Sequence, residues 1–108
     1  MQHTNLGAGR WKSLTFLEQM ANVGGEVERA LIWKAAQNAE YSQKAFERAL
    51  ELIDLTLECS DGLARRREVA RVREALVDYF FGANEYASTM ALWRNYFLPF
   101  TFAHRKNY

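Results

Sequence analysis

One cysteine, one proline and two histidines in 108 residues remove most covalent and metal chemistry from consideration. Cys59 alone cannot close an internal disulfide, so a reducing cytoplasm is the expected setting. One thiol cannot build a thiolate cluster within one chain, and His3 and His104 stand near the two ends. No two-histidine metal spacing exists, and the Glu-x-x-His pairs of di-iron bundles are missing. A serine or cysteine nucleophile needs a histidine base, and His104, in what reads as a tail, is a poor candidate. Gly7-Ala8-Gly9 precedes no strand and no lysine–hydroxyl pair, so it is no phosphate loop. No apolar run approaches the ~18 residues of a spanning helix, and no basic-plus-apolar leader opens the chain. The expectation is a protein with no catalytic residue, no metal and no cofactor, away from the membrane.

What is present is helix. Hydrophobic residues make up 49% of the chain and charged residues 25%, enough for one domain over residues 1–108 that buries a core unaided. Residues 1–12 read as a loose polar arm, with Trp11 anchoring it. Thr15 and Glu18 form a capping box, and the first long helix follows with Phe16, Met20, Val23, Val27, Ala30 and Leu31 at helical spacing. Gly24-Gly25 interrupts that stripe, and close approach of a neighbouring helix is the favoured reason, a kink or break the other. A turn is expected at Gln37-Asn38, then a second helix over about 39–58 that is apolar across a wide arc and so meets more than one neighbour. Ser60 or Asp61 is expected to cap a third helix over 63–81, with Gly82 at its end. A fourth begins near Ser88 or Thr89 and is expected to end or kink at Pro99, leaving residues 100–108 as an irregular tail. Short connections between four helices predict an all-α, antiparallel up-down-up-down four-helix bundle.

The net charge of +1 argues against a wholesale polyanion binder, yet charge is unevenly placed. Arg65, Arg66 and Arg67 occupy the first turns of the third helix, where the positive end of the helix dipole disfavours cations, and Arg67 and Arg71 repel at a spacing of four. One reading is an anion or nucleic-acid site formed by Arg65, Arg66, Arg67 and Arg71 with free backbone amides. The plainer reading is a solvated network neutralised by Asp61, Glu68 and Glu74. Charges also fall among apolar spacings. Arg29 or Arg73 with Asp54 or Asp78 are the expected interhelical ion pairs, since an isolated buried charge costs several kcal/mol. Finally, aromatic residues crowd the C-terminal third. One bundle cannot easily enclose them all, so Trp93, Tyr96, Phe97, Phe100 and Phe102 are expected to serve core and interface, with a homodimer as the leading assembly.

The segments from Trp11 to Thr15, Gly24 to Ala30 and Arg48 to Thr56, with Glu18-Gln19 and Arg71-Val72-Arg73-Glu74, resemble a family of small prokaryotic proteins without an assigned activity. At the level of fold the chain resembles HEPN-type bundles and the substrate-binding partners of minimal nucleotidyltransferases. That second resemblance implies a nucleotidyltransferase-like protein as partner. HEPN ribonucleases place a histidine shortly after an arginine. Neither histidine here has such an arginine, and Arg94 is too far from His104, so that catalytic pair does not carry over.

Overall fold

A computed structural model describes residues 9–106, and every regular element among them is helical. Residues 9–12 form a short helical turn, α1. The long helices are α2 (Phe16–Ala35), α3 (Ala39–Cys59), α4 (Leu63–Phe80) and α5 (Met90–Lys106). The start of α2 is set by its capping box: Thr15 Oγ1 accepts from the Glu18 amide at 3.1 Å, and Glu18 Oε1 accepts from the Thr15 amide at 2.8 Å. The α2–α3 turn uses Gln37 in the left-handed region (φ 62°), and Asn38 then caps α3 by accepting from the Tyr41 amide at 3.0 Å.

Packing runs outward from α2, which lies against both α3 and α5, while α4 packs on α3. Met20, Val23, Val27 and Leu31 of α2 are sealed from solvent, as are Phe46 and Ile53 of α3 and Val69 and Leu76 of α4. Each such side chain contributes on the order of 1.5–3 kcal/mol by leaving water. The wide apolar arc of α3 has its explanation here: a helix with neighbours on two sides must be apolar on both. Where α2 and α3 meet, Ser42 Oγ donates to the Ala30 carbonyl at 2.9 Å.

The two adjacent glycines have different surroundings. A Cβ built on Gly24 would sit 3.0 Å from Phe97 Cβ, so Gly24 is the point where α5 comes down on α2. A Cβ on Gly25 would meet nothing within 4 Å among the described residues. Opposite outcomes follow. Gly24→Ala is expected to destabilise by about 1–3 kcal/mol through overpacking, because the atoms in its way lie at the root of Phe97. Gly25→Ala is expected to stabilise by roughly 0.5–1 kcal/mol through helix propensity. Thermal unfolding of the two variants at low protein concentration reads both signs.

Several expectations about the ends and caps are corrected. Residues 1–8 of the expected loose arm lie outside the described residues. Residues 9–12 are helical, and Trp11 is a core residue at 8% exposure. Its indole N–H donates to Thr56 Oγ1 at 2.9 Å, and its carbonyl accepts from Gln19 Nε2 at 2.9 Å. Nor does α5 stop at Pro99; it continues to Lys106, so residues 100–106 are helix rather than an irregular tail. Proline removes the bond to the Asn95 carbonyl, but Asn95 and Pro99 both lie on the exposed side, where water can take that carbonyl. Phe97 and Phe100 meanwhile hold the inner side against the core. At α4 neither Ser60 nor Asp61 supplies the cap. Ser60 Oγ turns back to the Thr56 carbonyl at 2.6 Å, and Gly62, at φ 98°, occupies the cap position without a side-chain acceptor. Gly82 closes α4 without a left-handed φ; a Cβ there would sit 3.1 Å from the Asp78 backbone.

Candidate functional site

The start of α4 carries no acidic residue and no side-chain cap, so its first amides lack a side-chain acceptor. Arg65 lies over the Phe16 ring, 4.3 Å from its centroid, and this contact ties the arginine to the base of α2. Arg66, Arg67 and Arg71 are exposed, and among the described residues no carboxylate lies within ion-pair distance of them. Of the three acids expected to neutralise the cluster, Glu68 turns one oxygen away from it: its Oε2 accepts from the Tyr96 hydroxyl at 2.7 Å. The sequence places the arginines in the first turns of α4, and the structure leaves three of them directed to solvent without partners.

The expected ion pairs are partly redistributed. Arg73 Nε donates to Asp54 Oδ1 at 2.8 Å, but both side chains are close to half-exposed, so this pair is at the surface and not in the core. Such a pair contributes about 0–1 kcal/mol. Arg29 does not reach another helix; it faces Glu26, three residues back, at 3.8 Å. Among the described residues Asp78 pairs with no cation. Its two carboxylate oxygens accept from the Glu85 amide at 2.8 Å and the Tyr86 amide at 3.0 Å, which fastens the loop between α4 and α5. Backbone acceptance of this kind leaves no signature in residue spacing. Residue spacing does not show a further interhelical pair: Arg94 donates to Glu28 through both Nε and Nη2, at 2.7–3.1 Å, joining α5 to α2. That hydrogen bond holds the guanidinium firmly charged.

The aromatic residues divide between roles. Trp93 and Phe97 are 3% and 4% exposed, so neither is available to a partner, and the expectation that they form an interface is corrected for these two. Tyr96 and Phe100 are half-buried and packed on the core, Phe100 edge-on to Phe16 at 6.2 Å. Phe102 is 64% exposed, and Leu98, four residues earlier, is 60% exposed. Continuation of the helix past Pro99 is what places these two side by side on one face. Burial, reinforced by the hydrogen bond to Glu68, pushes the Tyr96 phenol well above its ordinary value. A raised folded pKa means that this contribution to stability is complete below the unfolded phenol value of about 10 and is lost as pH rises past it. Alkaline unfolding should therefore be less pH-dependent in Tyr96→Phe than in the parent, as followed by helical circular dichroism.

Beside Leu98 a groove of about 410 Å³ runs between α2 and α5, with Gly24, Gly25 and Phe97 in its lining and the Glu28–Arg94 pair along it. Cys59 is half-buried at the end of α3, and burial together with the Glu58 carboxylate pushes its thiol pKa up, which holds it protonated. Among the described residues no three His, Cys, Asp or Glu side chains gather to hold a metal, and no described helix is long and apolar enough to cross a membrane. No family model, curated protein or solved structure matches the chain.

Proposed function

We propose that this protein is a non-enzymatic helical module of the cytoplasm, an antiparallel up-down-up-down bundle that dimerises and binds a protein partner. The observation that carries the reading is the pair Leu98 and Phe102, two large apolar side chains more than half exposed and adjacent on α5. An apolar patch begun by these two neighbours suits a surface that another protein covers. The resemblance to substrate-binding partners of minimal nucleotidyltransferases supplies the class of that partner. Light scattering on the size-fractionated protein is expected to give a dimer at micromolar concentration. Leu98→Glu with Phe102→Glu is expected to weaken association while leaving helical content unchanged. A parent protein that stays monomeric throughout would end the dimer reading, and an adjacent nucleotidyltransferase gene would support the partner class.

A second reading has its own observation: the α4 start combines an acceptor-free first turn with unpartnered Arg66, Arg67 and Arg71. Amides and guanidinium groups there suit the phosphates of RNA or a nucleotide. Binding of single-stranded RNA should then weaken steeply with salt, and Arg66→Glu with Arg67→Glu should abolish most of it. Equal binding by parent and variant would rule this reading out.

A further inference from the structure

The outward face of α4 carries charge of opposite sign on its two halves. Val69, Val72 and Leu76 turn inward and are buried. Leu63, Arg67, Arg71, Glu74, Asp78 and Phe81 recur at three and four residues, which puts them together on the opposite face. Leu63 and Phe81, 64% and 49% exposed, stand at the two ends of that strip. Other charges of α4 are engaged elsewhere: Arg65 lies on Phe16, Glu68 accepts from Tyr96 and Arg73 donates to Asp54. Arg67, Arg71, Glu74 and Asp78 are in no ion pair among the described residues. Beside the acidic half lies a cleft of about 440 Å³ lined by Glu74, Val77, Asp78, Glu85 and Tyr86, three carboxylates with no cation in the lining.

We propose that a second copy of this chain covers this strip, α4 lying antiparallel on α4 about a two-fold axis at the level of Val72 and Arg73. The inference rests on the dimer reading above and adds to it the position of the axis. A two-fold contact requires a patch that complements itself. The order of residues along α4 does so. With the axis midway between the heights of Val72 and Arg73, Arg71 of each copy stands opposite Glu74 of the other, and Arg67 opposite Asp78. Leu63 falls opposite Gly82, one residue or about 1.5 Å of helix rise from Phe81. Charges of opposite sign thus meet along the strip, and an apolar contact closes each end. Ala70, exposed near the middle, adds little bulk where the two helices approach.

Charge also selects against other occupants. A copy laid parallel would set arginine against arginine and acid against acid. A nucleic acid would satisfy the basic half and be repelled by Glu74 and the acidic cleft beside it. A foreign protein would have to reproduce the change of sign that a copy already carries.

Sedimentation of the full chain at low and high salt tests the axis. The parent dimer should loosen as salt rises, since pairs between exposed charges are screened. Arg71→Glu and Glu74→Arg both change exposed residues and should preserve helical content. Each makes the central pairs like-charged in its own homodimer, and should raise the dissociation constant by at least roughly tenfold. Mixed in equal amounts, the two variants should associate about as tightly as the parent, because in the mixed dimer every central acid again faces an arginine. If the parent is a dimer indifferent to salt and both variants dimerise as tightly, the axis lies elsewhere while the dimer reading stands. Variants that separate and do not recover on mixing overturn the pairing. A parent that is monomeric at every concentration ends both, whatever else α4 then binds.

Discussion

Replacing Trp11 by alanine is expected to cost about 3–5 kcal/mol, the range for emptying the site of a large buried aromatic. The size follows from its surroundings. The ring is 8% exposed and packed in the core, its indole N–H donates to Thr56 Oγ1 at 2.9 Å, and its carbonyl receives Gln19 at 2.9 Å. Thr56 is itself completely buried, and its hydroxyl donates a hydrogen bond to the Leu52 carbonyl at 2.8 Å. Loss of the indole therefore leaves a cavity and also strips one partner from a buried polar chain. Thr56→Val separates the two effects. It keeps most of the volume but leaves the indole N–H unsatisfied, and should cost about 1–3 kcal/mol. Urea denaturation of the two variants is the measurement. A Trp11→Ala cost below about 1 kcal/mol would show that the segment before α2 is a loose arm after all.

Phe46→Ala should have an effect of comparable size, about 3–5 kcal/mol, at the opposite side of the core. Phe46 is fully sealed from solvent. Its ring stacks on Phe80 with centroids 4.4 Å apart and meets Phe81 edge-on at 5.0 Å. These contacts tie the end of α4 to α3, where Phe80 and Phe81 are themselves only partly covered. The substitution should accordingly loosen the end of α4 more than its middle, where Val69 and Leu76 are fully buried. Hydrogen exchange should show protection lost first near residues 77–81. Uniform loss of protection along α4 would mean that the aromatic cluster does not act locally.

Much of the helical pattern was legible from local chemistry. The boundaries of α2, α3 and α4 came within a residue or so, because a capping box, an Asn-led turn and a change in apolar period act over three or four residues. Arg73–Asp54 is one of the combinations that the spacing leaves open, and only the packing of α4 on α3 selects it and sets it at the surface. Pro99 misled for a reason equally physical. Its local penalty in a helix interior is roughly 3 kcal/mol, which the packing of α5 on the core on both sides of it, Trp93 and Phe97 before and Phe100 after, offsets. Trp11 was seen as an anchor, but the helical turn around it depends on Thr56 and Gln19, partners that periodicity cannot supply.

The candidate surfaces divide along the same line. Crowding of arginines at the start of α4 is written in the order of residues and needs no fold to be noticed. That Glu68 turns to Tyr96 and leaves the arginines without it is a matter of how α4 and α5 meet. The aromatic surplus of the C-terminal third is likewise visible in composition. Which rings are buried and which face water depended on the packing of α5 on α2, which turned Trp93 and Phe97 inward, and on its continuation past Pro99, which left Phe102 outside. The paired glycines show the division most sharply. Two identical neighbours in sequence differ by the 100° turn between successive helical residues, which sets one under Phe97 and the other over open space. Local preferences determined that this chain is helical and where its helices begin. Only the packing of α5 on α2 decided which of its unusual residues serve the fold and which stay exposed.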